Sequence, residues 1–135
     1  MKNKLSGLKV LHNKKGLKVF EKLKGGFGLY RYSEIAEKSI TIESKGFYST
    51  LLEHLIDNGT YKVYLPCTHN KKDIAKYFEV GTRKLDKWIK ELEDNELVKT
   101  IHDNRYTMDI IINPSYYRLG KYVHQEVLDM FSIVF

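Results

Sequence analysis

The chain has one cysteine, two prolines and no long apolar run in its 135 residues, and each shortage removes a class of protein. A lone Cys67 excludes an intramolecular disulfide framework and suits a reducing cytoplasm. No stretch approaches the roughly 20 apolar residues that a membrane-spanning helix requires. The N-terminus is basic but lacks a continuous apolar core and a small-residue cleavage site, so a secretory signal is not expected. Cys67 and His69 stand two apart, but His12, His54, His102 and His124 are scattered, and no spacing matches a zinc site. Gly25-Gly26-Phe27-Gly28 lacks the lysine and helix start of a phosphate loop. Ser6 lacks the strand-turn-helix setting of a nucleophile elbow. The expectation is a protein without catalytic activity, bound metal, cofactor or small-molecule ligand.

What the chain does have is a lopsided charge. The net charge is +6, yet residues 1–32 carry nine Lys/Arg against Glu21 alone, a balance of +8. Residues 33–135 carry 14 Lys/Arg and 16 Asp/Glu, a balance of −2. The basic excess is therefore an N-terminal arm, residues 1–28, on a nearly neutral body. Such an arm can neutralise phosphates or an anionic surface, or serve only as a solubilising end. Within it, Gly7-Leu8-Lys9-Val10 recurs as Gly16-Leu17-Lys18-Val19 around a polar centre, the pattern of a β-hairpin.

Farther on, Ser33 to Lys38 suits a short helix, and Lys45 to Asn58 a longer one. Phe47, Leu51, Leu52, Leu55 and Ile56 form the buried stripe of the longer helix. Tyr61 to Leu65 alternates as a strand that Pro66 ends. Asn70 to Glu93 reads as two short helices joined by a tight turn. Ile74, Ala75, Phe78, Val80, Leu85 and Trp88 are apolar where a helix-turn-helix must be, and Ala75 is small enough for close helix contact. Asn70 with Asp73 suits the first cap. Gly81 suits an unusual backbone angle in the turn, and Thr82 suits the second cap. Leu97–Ile101 and Tyr106–Ile112 are β-rich runs linked by His102-Asp103-Asn104-Arg105. The order helix, strand, helix, helix, strand, hairpin tip, strand is that of a winged helix. The expected fold class is α+β: a winged helix-turn-helix over 29–114, with the basic arm before it and a C-terminal helix over 115–135. Leu119, Val123, Val127, Met130 and Val134 would line one apolar face of that last helix. Such a face is covered either by the same chain or by a second copy, which would make a homodimer through 115–135.

A helix fits the major groove of double-stranded DNA, and outward side chains at its start reach base edges. In the second helix these are Thr82, Arg83, Lys84 and Lys87, with Lys90 a turn further on. Arg83 is the candidate base reader, because its planar fork bonds two guanine acceptors at once. Lys84, Lys87 and Lys90 suit phosphates, which position without specifying sequence. Asp86 with Lys90, and Lys87 with Glu91, are spaced to pair along the helix. Lys71 and Lys72 at the start of the first helix suit backbone phosphates. Asn104 and Arg105 at the hairpin tip suit a minor groove.

From about Tyr30 to Asn113 the chain resembles the winged-helix domains of phage and plasmid replication initiators of Gram-positive bacteria. The resemblance rests on Lys45-Gly46-Phe47-Tyr48, on Asp73-Ile74-Ala75 through Trp88-Ile89-Lys90-Glu91-Leu92-Glu93, on Leu97-Val98 and on Asn113-Pro114. It implies that the second helix reads origin DNA through Arg83, Lys84 and Lys87. The expected function is sequence-specific binding of double-stranded DNA in the cytoplasm, as a replication initiator or transcription regulator of a mobile element. The alternative is a winged helix that grips a protein, for which the neutral body and the acidic Glu91-Glu93-Asp94-Glu96 cluster argue.

Overall fold

The computed structural model describes residues 8–12, 17–22, 29–30 and 40–133. Its strands are β1 (Leu8–His12), β2 (Leu17–Lys22), β3 (Leu29–Tyr30), β4 (Val98–Ile101), β5 (Asp109–Ile112), β6 (Tyr117–Arg118) and β7 (Tyr122–His124). Its helices are α1 (Ile42–Leu52), α2 (Lys71–Tyr77), α3 (Thr82–Asp94) and α4 (Gln125–Met130). The class is α+β, with antiparallel strand pairs throughout. No helix among the described residues is long and apolar enough to cross a membrane. The helix expected over Ser33–Lys38 and the Gly25–Gly28 break lie outside the described residues.

The chain divides into two compact units. The helical unit holds the chain through Leu55 from the start of α1, and Lys62–Ile112. Thr41 opens α1 by accepting the Ser44 amide, and Phe47, Tyr48 and Leu51 face inward. The helix stops at Leu52 rather than running to Asn58. The chain is diverted there: the His54 carbonyl accepts the Tyr64 amide at 2.9 Å, and Leu55 bridges Val63. The strand expected over Tyr61–Leu65 shrinks to that bridge and to Lys62 opposite Ile111. Tyr61 has φ +53°, which no extended strand can hold.

Asn70 caps α2 by accepting the Lys72 amide at 2.9 Å. Asp73 is not part of that cap, because its carboxylate takes the Thr68 hydroxyl. Ile74 and Ala75 are buried where α2 meets α3, and Leu85, Ile89 and Leu92 line the inner face of α3. An aromatic cluster joins the three helices: the Phe47 ring lies 4.8 Å from Phe78 and 5.1 Å from Trp88.

The turn between α2 and α3 departs from the expectation in two ways. Gly81 has an ordinary φ of −78°, and the positive φ of +56° falls on Glu79. The reason is the helix end. The Val80 amide returns to the Ala75 carbonyl and the Glu79 amide to the Lys76 carbonyl, a closure that places the residue after the cap in the left-handed region. Thr82 does not cap α3. It is the first helical residue, Gly81 holds the cap position, and no side chain accepts there.

Strands β4 and β5 pair from Val98–Ile112 to Ile101–Asp109, and Lys62 bridges the other side of β5 at Ile111. The expected second run, Tyr106–Ile112, joins the ladder only from Asp109. Tyr106 to Met108 leave it because the Lys71 amide takes the Tyr106 carbonyl at 2.8 Å and the Met108 amide takes the His69 carbonyl at 2.7 Å. The hairpin is thereby tied to the start of α2.

The second unit holds β1–β3, Ile56–Tyr61 and the chain from Asn113. The repeat in the basic arm does form a hairpin, with Val10 opposite Phe20, and β2 pairs in turn with β7. Strand β3 pairs with β6. The C-terminal segment is therefore not one helix over 115–135. Backbone groups at Tyr117–Arg118 and Tyr122–His124 are used by strand partners distant in sequence, and helix is left only at Gln125–Met130. Val123, Val127, Leu128, Phe131 and Ile133 are buried within the single chain. The Tyr61 hydroxyl accepts the Leu119 amide at 2.9 Å and donates to the Leu119 carbonyl at 3.3 Å.

Candidate nucleic-acid interface

Leu85, Ile89 and Leu92 turn inward at three- and four-residue steps with the half-buried Trp88 beside them, so the opposite side of the helix faces water. Thr82, Arg83, Lys84, Lys87 and Lys90 are all exposed on α3. This is the face expected to meet DNA, and nothing in the described chain covers it.

Two ties already described bring the hairpin beside the first turns of α2 and α3. Asn70, Lys71, Lys72, Thr82, Asp86, Arg105 and Tyr106 line a cleft of about 150 Å³ there. Four predicted residues thus converge: Lys71, Lys72, Thr82 and Arg105. Arg105 is held by its neighbour, its guanidinium lying 4.8 Å over the Tyr106 ring. The Asn104 side chain is occupied with the turn itself, accepting the Tyr106 amide at 2.8 Å. Lys87 and Lys90 are not among the cleft residues.

The ion pairs differ from the expected ones. Asp86 pairs with Lys71 across the two helices at 2.7 Å, not with Lys90. Lys90 reaches forward to Asp94 at 3.0 Å, and Lys84 reaches Glu43 of α1 at 3.3 Å. Glu91 is not Lys87's partner. Its carboxylate accepts the Ser44 hydroxyl at 2.7 Å and the Thr41 amide at 3.0 Å. These two bonds, Ser44's first, hold the Glu91 carboxyl below its ordinary range, and Lys87 adds only a weaker field. Among the described residues Arg83, Lys87 and Lys72 have no carboxylate at ion-pair distance. The basic face is therefore partly neutralised from within. Exposed pairs of this kind contribute about 1 kcal/mol or less, so a phosphate can displace them.

Asn70, read only as a cap, Asp86 and Tyr106 are the cleft residues that sequence reasoning did not place in the site. Asp86 lies four residues after Thr82, which puts it on the same face, but its partner depends on how two helices cross. Beside the hairpin loop, His69, Asp103 and Asp109 bring ligand-type atoms within 4.8 Å of one another. Lys62 pairs with the Asp109 carboxylate at 3.6 Å, and His69 Nδ1 stands 3.3 Å from the same carboxylate. Cys67 is half-buried, and burial pushes its thiol up, away from the reactive thiolate.

No protein-family profile, curated protein or solved structure matches the chain.

Proposed function

We propose that the helical unit is a winged helix that binds double-stranded DNA in a sequence-specific manner. Its biological role would be replication initiation or transcription regulation for a mobile element, in the cytoplasm. The observation that carries this reading is the exposed basic face of α3, with the Arg105 hairpin tip gathered beside its first turn. Helix α3 enters the major groove, Arg83 bonds guanine, and Lys84, Lys87 and Lys90 take phosphates. Lys71 and Lys72 hold the backbone from α2, while Arg105 and Asn104 reach the neighbouring minor groove. The element order supports the same reading: helix, bridge strand, two helices, then a hairpin whose second strand takes the bridge strand on its free side. The choice of initiator over other DNA binders rests on the resemblance at Asp73-Ile74-Ala75, Trp88 to Glu93 and Asn113-Pro114.

A second reading, a winged helix that grips a protein, is favoured by the carboxylates of Glu43, Asp86 and Asp94, which engage three of the lysines. Such a module needs no free basic face. Fluorescence anisotropy separates the two. Fragments flanking the protein's own gene are titrated at two salt concentrations with excess competitor duplex. Binding of one fragment that survives competitor supports the DNA reading. Binding abolished by both salt and competitor removes it in favour of a protein partner.

A further inference from the structure

We infer that Asp86 couples base reading to phosphate grip: its carboxylate accepts from a cytosine amine, and that exchange releases Lys71 to a phosphate. The inference rests on the DNA reading above and names the element that gives it selectivity. Asp86 is the exposed acid of the first two turns of α3, among Arg83, Lys84 and Lys87, three residues from Arg83 and four from Thr82 and Lys90. Its carboxylate stands in the cleft between the starts of α2 and α3 and the hairpin tip, 2.7 Å from the Lys71 ammonium.

A carboxylate at that place repels any phosphate that enters the cleft, and it occupies the nearest lysine. The backbone phosphates offer it nothing in return, because their oxygens are acceptors only. A major-groove cytosine offers its N4 amine, the donor that a carboxylate takes. Once Asp86 turns to that amine, Lys71 is free for the backbone. The Lys71 side chain is 26% exposed and that of Asp86 53%, so water reaches the pair and it opens without a large penalty. Correct sequence thus gains two contacts together, and wrong sequence gains neither while retaining the repulsion. This is selectivity by a repulsive element as well as an attractive one.

The test uses the full chain and an Asp86→Ala variant, with circular dichroism to confirm that both fold. A random 30-base-pair duplex pool is selected on the wild type. Anisotropy then follows the selected duplex, its single base-pair variants and the unselected pool at several salt concentrations. For the wild type, replacing one C·G pair by T·A should weaken binding about tenfold. Asp86→Ala should lose that discrimination and bind the unselected pool several-fold more tightly. Its salt slope on that pool should steepen by about one unit, for the released lysine. Adding Lys71→Ala should restore the original slope. If Asp86→Ala keeps every base preference of the wild type, the assignment to Asp86 fails while the DNA reading stands. If the wild type selects no sequence at all, both fail.

Discussion

Glu79 holds a φ of +56° at the end of α2, in a region where a Cβ is crowded and glycine is not. Glu79→Gly should therefore stabilise the chain by about 0.5 kcal/mol, the left-handed strain relieved less the added freedom of glycine when unfolded. An increased urea midpoint with an unchanged slope would bear this out. Gly120 is the opposite case. It has φ +75°, and a Cβ built there would lie 1.8 Å from the Asp57 carboxylate. Gly120→Ala must displace that side chain as well as strain the backbone, and should cost about 2 kcal/mol or more. Tyr61 adds a pH signature. Burial pushes its phenol from 10 up to about 12, so folding favours the neutral form. That contribution is complete below pH 10 and is lost as pH rises towards 12. Tyr61→Phe should cost about 1–3 kcal/mol at pH 7, by stranding the Leu119 amide and carbonyl. It should also flatten the fall in stability between pH 10 and 12, which denaturant titrations across that range would read.

At the scale of elements, Glu91 ties α3 to the start of α1 through Thr41 and Ser44. Its carboxyl is held below the ordinary 4.5, so the tie is complete above about that pH and is lost as pH falls through the lowered value. Glu91→Gln should lower the urea midpoint at pH 7 and soften the acid limb of the stability profile. Ala75 is 2% exposed where α2 meets α3. Ala75→Leu should cost about 1–3 kcal/mol by overpacking, read from the same titrations. Helices α2 and α3 were legible in the sequence because their apolar steps and the Asn70 cap are local, although the Thr82 cap expected for α3 is absent. Asn70, Ile74, Leu85, Ile89 and Leu92 all stand where periodicity expects them. The C-terminal segment was misread for the complementary reason. Val123 and Val127 are spaced like a helix stripe, yet Val123 lies in β7, whose partner β2 is a hundred residues away in the chain. No local pattern carries that pairing.

For the whole molecule, the DNA reading makes a paired prediction. Arg83→Ala should cost about 1–3 kcal/mol at one base pair and relax preference there. Lys87→Ala should weaken all duplexes alike and reduce the salt slope by about one unit. Base-pair substitution and salt titration by anisotropy distinguish the two, and unchanged binding in both variants would remove α3 as the reading helix. The basic arm requires a different approach. Because β2 pairs with β7, deleting residues 1–24 should lower the melting temperature of the chain rather than trim a free end. Replacing Lys14 and Lys15 by Gln tests the arm's charge without removing a strand.

The sequence by itself determined the α+β class, the N-terminal hairpin and the inner and outer faces of α3. All follow from side-chain period and turn chemistry within a few residues of one another. Tertiary structure alone decided which carboxylate neutralises which lysine, where the hairpin tip sits against α2, and that two short strands interrupt the C-terminal segment. Each depends on hydrogen bonds or charges between residues far apart in the chain, whose distances are set only when the elements pack.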